Sequence, residues 1–486
     1  MLFSAPEFIF AFLPIVFVGY YLSVRVAGKS VSGAFLALAS LVFYAWWKPI
    51  YLPLIVVSIL VNYGVGSRLI EQTRNKRGWL IFGVVFNLGL LGYFKYSWFA
   101  VETVAEVVGS SFRMEPLLLP LAISFFTFQQ IAFLVDAYKG EVERVSLPNY
   151  TLFVSFFPQL IAGPIVHHRE MMPQFASEKR YWPTWLNVEQ GLRIFLIGLA
   201  KKLIIADTLA RYADGGWAHA SELTFYAAWG TTLCYTFQLY FDFSGYSDMA
   251  LGAARFFGIH LPYNFNSPYK AQSIQDFWKR WHMTLSRWLK DYLYIPLGGN
   301  RRGKLLTYRN LFITFLLGGI WHGAGWTFMI WGAMHGVGCM IHRWWSRFGI
   351  RIPGFVAWLM TFIFVHIGWV FFRAPSVTDA WVMIKRLIHV KGAYEGVDFA
   401  ASFQTLLHWQ WISLVDEAPV YAPIHMLPYL IVVGGIAFLA RSSIRIALES
   451  PMRTPLRSAI WYGLLGLVCV LASVKAAESP FLYFNF

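Results

Sequence analysis

Residues 311–336 read LFITFLLGGIWHGAGWTFMIWGAMHG. The stretch holds no Asp, Glu, Lys or Arg, and its apolar run, 310–332, has membrane-spanning length. Inside lipid such a backbone must satisfy its own hydrogen bonds, which makes it helical. His322 lies within it, with Gly318, Gly319, Gly323 and Gly325 around it. The rest of the 486-residue chain is built alike: 57% hydrophobic, 19% aromatic, only 13% charged, with a mean hydropathy of +0.52. A soluble protein of this length needs a polar surface that so few charges cannot make. A disordered chain, a disulfide-stapled secreted domain and an ordinary cytoplasmic enzyme are excluded. The reading is an all-α polytopic membrane protein.

Apolar runs recur at 7–24, 31–47, 51–67, 79–99 and 117–135, then at 189–206, 224–241, 310–332, 353–372, 402–415, 425–440 and 458–474. They predict about ten to thirteen hydrophobic helices, some short of a full span. The run 151–166, TLFVSFFPQLIAGPIV, carries Pro158, Gly163 and Pro164 and reads as a bent or re-entrant segment buried in protein. Basic residues mark the loops 25–30 and 68–78, whereas 100–116 is net acidic. The positive-inside rule then puts the N-terminus outside and Asp136–Arg144 in the cytoplasm. Pro14 and the lack of a basic leader argue against a cleavable signal. No internal repeat or separable soluble domain stands out, so residues 1–486 form one membrane domain.

The net charge is +15, and the stretch from Lys270 to Arg309, with nine basic and two acidic residues, carries +7 of it. Within it Phe277, Trp281, Leu285, Trp288 and Tyr292 recur at helical spacing, with Lys279, Arg280, Arg287 and Lys290 off that stripe. This predicts an amphipathic interfacial helix over about 273–292, held at anionic lipid. The same charge would also attract an anionic substrate from the cytosol. There is no nucleic-acid motif, and nucleic acid is not an expected partner.

Asp242 and Asp248, in FDFSGYSD, lie close to an apolar run. They are either helix-end or hydrogen-bond groups, or polar contacts near a reaction centre. His322 is a general base, a hydrogen-bonded structural histidine or a metal ligand. An imidazole enclosed among apolar groups stays neutral and can take a proton from a hydroxyl or thiol. No HExxH or carboxylate cluster accompanies it, so no metal is expected. His282 is a second candidate, or an interfacial residue. His335 and His366 read as core histidines, His167 and His168 as interfacial, and His260 as a helix exit. Cys234, Cys339 and Cys469 lie far apart in apolar stretches, in neither a metal nor a disulfide pattern.

Several stretches together resemble the membrane-bound O-acyltransferases, in particular the alginate O-acetyltransferase branch of bacterial polysaccharide acetylation proteins. They are MLFSAPEFIFAFLPIVFVGYY at the start, LASLVFYAWWKP at 38–49, FPQLIAGPIV at 157–166, YFDFSGYSDMALG at 240–252, FWKRWHMTLSRWLKDYLYIPLGGNR at 277–301, LLGGIWHGAGWTFMIWGAMHG and the terminal FLYFNF. The resemblance implies many helices around a central tunnel, with a catalytic core over 117–372. It implies that His322 is the catalytic histidine and His282 a second catalytic position, with Asp242, Asp248, Trp321, Gly319 and Gly323 lining or supporting the tunnel. It implies transfer of an acetyl group from a cytoplasmic thioester, acetyl-CoA, with no tightly bound cofactor. The acceptor would be a periplasmic group or partner, for O-acetylation of an exported polysaccharide, alginate-like first.

The expected partners are a periplasmic or membrane-anchored acetyltransferase, polysaccharide biosynthesis and export machinery, and anionic lipids. The expected location is the bacterial inner membrane. Peptidoglycan, cellulose, teichoic acid or lipid acceptors are alternatives, and so is a non-enzymatic transporter or scaffold. The chain carries no GxSxG elbow of its own.

Overall fold

The computed structural model describes residues 1–71, 74–177, 182–390, 423–449, 455–475 and 482. The apolar run at 402–415 and most of the aromatic end at 481–486 lie outside them. Among the described residues every regular element is helical. Five helices are long and apolar enough to cross a membrane: Glu7–Val26, Pro49–Ile70, Lys76–Val108, Gly354–Arg373 and Leu456–Ser473. Val31–Trp47 and Met426–Leu439 are shorter apolar helices. The other predicted runs within the described residues are helical for most of their length, and two of them are largely enclosed by protein. Ile123–Tyr138 and Phe225–Phe256 are buried along most of their length.

Phe225–Phe256, a helix of 32 residues, runs through the core. Trp185–Ala200 packs on it so closely that only glycine fits at the crossing. A Cβ on Gly198 would stand 2.5 Å from the Gly245 carbonyl oxygen, and one on Gly252 would stand 2.6 Å from that of Gly191. Beyond Ala200 the chain takes a π-helical turn, Lys201–Ala206, before Asp207–Ala218. The turn places two successive lysines on the long helix. Lys201 Nζ sits 2.6 Å from Asp248 Oδ2 and also meets Ser244 and Ser443. Lys202 Nζ lies 2.9 Å from Asp242 and 2.7 Å from Asp207. Asp242 accepts a further bond from the Leu482 backbone N–H at 2.9 Å. Each buried carboxylate is thus paired and hydrogen-bonded, the condition under which burial of charge is tolerated.

The proline-rich segment follows Leu147–Ser155 as a short turn, Phe157–Leu160, and then non-helical chain, with every residue from 152 to 166 buried. Its backbone groups find partners in place of water. Phe157 N–H donates to Ser40 Oγ at 3.1 Å, and Ile165 N–H to Thr284 Oγ1 at 3.0 Å. The Phe153 carbonyl accepts from Gln129 and Gln159.

Two sequence expectations change. The continuous interfacial helix over 273–292 is instead a broken pair, Ile274–Trp278 and Met283–Leu289, followed by a π turn, Lys290–Tyr294. His282 stands at the break in a left-handed conformation, φ +42°. The aromatic stripe does not lie at headgroup level: Phe277, Trp281, Leu285 and Trp288 are buried in protein, while Lys279 and Lys290 point outward. The four-residue period is real, but the residues that obey it serve a core. The run 310–332 is likewise not one helix. Lys304–His322 ends at His322 and Trp326–Trp345 begins after an extended Gly323–Gly325 turn. The two halves then fold against each other. A Cβ on Gly319 would meet the Phe328 carbonyl oxygen at 2.3 Å, and one on Gly332 the Phe315 carbonyl oxygen at 2.6 Å.

Candidate active site

His322 is the last residue of its helix and only 3% exposed. A helix end leaves carbonyls without intrahelical donors, and burial makes that costly. Lys95, from the run 79–99, supplies the donors. Its Nζ lies 2.5 Å from the Trp321 carbonyl oxygen, 3.1 Å from that of His322 and 3.2 Å from Ser124 Oγ. Next to it Tyr96 donates its hydroxyl to the Ile320 carbonyl at 2.7 Å. A cation on the negative end of a helix dipole is favourable as well. Two neighbouring side chains therefore fix the backbone that carries His322.

The His322 ring stands edge-on to three aromatic rings: Trp321 at 4.9 Å, Trp331 at 5.0 Å and Phe372 at 5.3 Å between centroids. His282 is the fourth neighbour, 6.4 Å away. The break at 279–282 turns this second histidine into the core, where it is fully buried. Its Nδ1 lies 3.1 Å from Asn264 Oδ1. That oxygen also accepts from Thr284 N–H and Oγ1, at 3.4 and 3.0 Å, which marks it as an acceptor. The proton on His282 is therefore assigned to Nδ1, and the lone pair to Nε2. Among the described residues Nε2 meets no hydrogen-bond partner.

The remaining sequence candidates fall into place around this pair. Trp321 touches both imidazoles, with its ring 6.3 Å from His282. Gly319 and Gly323 do not leave room for a ligand; their open sides are filled, by the Phe328 and Gly332 backbone and by the Phe328 ring. Asp242 and Asp248 face Lys202 and Lys201 in the core described above. His335 accepts from Trp278 Nε1 at 3.3 Å, and His366 sits between Thr232 and Thr236 at 3.2 and 2.8 Å. Among the described residues no group of three or more His, Cys, Asp and Glu could hold a metal.

A polar cavity of about 410 Å3 opens beside His167, Tyr292, Arg287, Glu170 and Asp136. Arg287 binds Glu170 through two bonds, at 2.5 and 2.8 Å. Burial, helped by Arg287, pulls the His167 imidazole below its ordinary range. Burial pushes the Tyr292 phenol up, and the Asp136 carboxylate that accepts its proton at 2.7 Å adds to this. A series of rings leads from this cavity to the histidines. His167 stacks on Tyr292, which meets Trp288 at 5.4 Å. Trp288 lies flat on Phe128 at 3.7 Å, Phe128 stacks on Trp321 at 5.1 Å, and Trp321 borders His322.

The model of a membrane-bound O-acyltransferase family matches residues 89–375, a span that includes Lys95, Asn264, His282, Trp321 and His322. The chain belongs to the membrane-bound O-acyltransferase family. It is 45% identical to a peptidoglycan O-acetyltransferase of Helicobacter pylori, over 100% of this chain and 98% of that protein. It is 44% identical to a protein described as a probable alginate O-acetylase of Pseudomonas aeruginosa, over 80% of this chain and 75% of that one. With a teichoic acid D-alanyltransferase of Bacillus subtilis it shares 31% identity over 42% of its own length and 53% of the other's. The likeness thus extends to both the peptidoglycan and the alginate acetylation proteins, a wider kinship than the alginate branch alone.

Sequence reasoning passed over Lys95 and Asn264. A lone lysine inside the run 79–99 was a readable signal, because an ionisable group at bilayer depth has a partner or a task. Asn264, in LPYNFNSPY, carries no such mark.

Proposed function

We propose that this acyltransferase takes an acetyl group from a cytoplasmic acetyl thioester, acetyl-CoA, and passes it to a hydroxyl on the outer side of the inner membrane, for O-acetylation of peptidoglycan. The observation that carries the reading is the meeting of His322 and His282, both buried among packed aromatic rings, within the family-matched segment. His322 takes the proton of the acceptor hydroxyl as its oxygen attacks the acyl carbon. The C–O bond forms, the C–S bond breaks, and the proton passes to the departing thiolate. Asn264 holds His282 so that its Nε2 lone pair is presented to a second donor.

The full-length likeness to the Helicobacter protein supports peptidoglycan as the acceptor polymer. An alginate-like exopolysaccharide is the second reading, supported by 38% identity over the full length of both chains to a Pseudomonas putida protein described as a probable alginate O-acetylase. On either reading a periplasmic acetyltransferase partner completes the transfer to polymer, and the N-terminus faces the periplasm.

The test is deletion of the gene, followed by measurement of alkali-labile acetate on muropeptides and on secreted polysaccharide. Loss from muropeptides, restored by the wild-type chain and not by His322→Ala at equal membrane abundance, is expected. Loss from the secreted polymer alone would select the second reading. Unchanged acetate on both polymers would overturn the proposal.

A further inference from the structure

The two imidazoles account for proton movement but not for the charge that develops on the acyl oxygen. The side-chain donors around His322 are Lys95, His282, Trp331 and Trp321, and the first two are already engaged. The helix that carries His322 ends there, so it offers carbonyls, the wrong sign for an oxyanion. Two of the backbone N–H groups that follow turn inward: that of Gly323 donates to the Gly319 carbonyl, and that of Gly325 to the Gly323 carbonyl. An ammonium group has three N–H bonds, and Lys95 has an acceptor for each, at Trp321 O, His322 O and Ser124 Oγ. His282, with its proton on Nδ1 and bound to Asn264, shows a lone pair.

Trp321 is the unengaged donor that also borders His282. Its side chain is buried, and among the described residues its Nε1–H has no acceptor. The buried indoles of Trp288 and Trp278 donate, to the Phe128 carbonyl at 3.0 Å and to His335 at 3.3 Å, whereas among the described residues those of Trp217, Trp331 and Trp369 have no acceptor either. An unpaired donor inside protein calls for a reason. Trp331 also lacks an acceptor and also borders His322, at 5.0 Å, but its second imidazole neighbour is His335, at 4.7 Å, rather than His282. Its Nε1 and His335 Nε2 lie 3.6 and 3.1 Å from the point a Cβ on Gly368 would occupy, so both border one nook on the neighbouring helix. Trp321 differs in bordering His322 and His282 at once. Its ring is held by the Phe128 stack, the edge of Phe125 and the Lys95 ammonium 5.8 Å from its centre.

We infer that the Trp321 Nε1–H is the oxyanion donor of this enzyme. The inference rests on the acyl-transfer reading above. The thioester carbonyl oxygen accepts from Nε1–H in the bound state. As the acceptor oxygen bonds to the acyl carbon, the C=O electron pair moves onto that oxygen and the bond from Trp321 strengthens. The pair then returns, the C–S bond breaks, and the thiolate receives the proton that His322 took from the hydroxyl. A rigid neutral donor fixed before the reaction suits this task, because it needs no reorganisation when charge appears.

The test replaces Trp321 by 3-benzothienylalanine, which keeps the ring shape and exchanges N–H for sulfur, and separately makes Trp321→Phe. Membrane vesicles from the complemented deletion strain receive radiolabelled acetyl-CoA, and incorporation of acetate into polymer is followed. The isostere is expected to lower kcat by about 10²–10³-fold, the usual effect of losing an oxyanion donor. Its donor KM stays within about threefold, as for a bond that matters in the transition state. Its melting temperature is unchanged or higher, since no native hydrogen bond is lost. Trp321→Phe shows the same loss of kcat with some loss of stability. A kcat for the isostere within about threefold of wild type, in folded protein, overturns the inference. His322→Ala separates the two levels: if it is inactive while the isostere is fully active, only the donor assignment fails, and if it too is fully active, the acyl-transfer site itself is misread.

Discussion

Replacing Lys95 by methionine probes how the catalytic helix end is held. The ammonium group bonds the carbonyls of Trp321 and His322 at 2.5 and 3.1 Å, and Ser124 Oγ at 3.2 Å. Methionine fills a similar volume and donates nothing. Two carbonyls of a buried helix terminus then lose this donor, at about 1–3 kcal/mol each. Loss of the cation from the dipole's negative end adds up to ~2 kcal/mol. Part of this returns, because the folded protein no longer has to bury an ammonium group. The net destabilisation expected is about 2–4 kcal/mol. The His322 backbone gains freedom at the same time, so acetate transfer falls by about tenfold or more. Lys95→Arg does not restore either property, because a planar fork cannot place three donors where the compact ammonium does. The assays are thermal unfolding in detergent, followed by tryptophan fluorescence, and acetate incorporation in vesicles. A Lys95→Met protein that melts within about a degree of wild type and transfers acetate normally would refute the reasoning.

Three further outcomes follow from the geometry. Asn264→Leu removes the acceptor that holds the His282 proton on Nδ1; transfer is expected to drop by roughly tenfold to a hundredfold with membrane abundance maintained, as read from vesicle rates. Gly319→Ala drives a methyl to within 2.3 Å of the Phe328 carbonyl oxygen, so the two halves of the 304–345 hairpin must separate, at about 1–3 kcal/mol by chemical or thermal unfolding. The pH dependence concerns His167, whose folded value lies below the ordinary 6.5 through burial and then Arg287. The unfolded chain therefore takes up the proton first, so this stability is present above about pH 6.5 and is lost as pH falls below it. His167→Gln should flatten the fall in melting temperature between about pH 7 and pH 5. Some slope persists through His260, which burial and Arg255 shift in the same direction.

The apolar runs, the helical class and the bent 151–166 segment were legible because they follow from hydropathy and from proline and glycine. The site was legible in part. His322 announces itself as an ionisable residue in an uncharged stretch, and Trp321 adjoins it. What periodicity could not deliver was the direction of the 277–292 aromatics. A helix lying at the headgroups and a broken helix folded into a core place aromatics at the same spacing. The difference is made at the break 279–282, after a helix that ends at Trp278, where the left-handed backbone of His282 starts the next. Histidine, with asparagine and aspartate, tolerates that conformation better than most side chains, but tolerance is not a signal. Asn264 and Lys95 act through contacts at sequence separations of 18 and 226 residues, which no local pattern records. Asp242 and Asp248 were legible as costly, yet their partners directly follow Ala200, on a π turn that spacing does not reveal.

Those ion pairs bear on how the protein is made. Phe225–Phe256 brings two carboxylates into the protein core, and the preceding segment brings two lysines. Each charge disfavours insertion of an isolated helix by about 2.5–3.5 kcal/mol at its centre. Neither segment is therefore a good substrate for the insertion machinery alone. The first gains its ion pairs only once the second has been synthesised. A chain lacking Lys202 or Asp242 leaves the other charge buried without this partner and is expected to reach lower membrane abundance, before any question of catalysis arises.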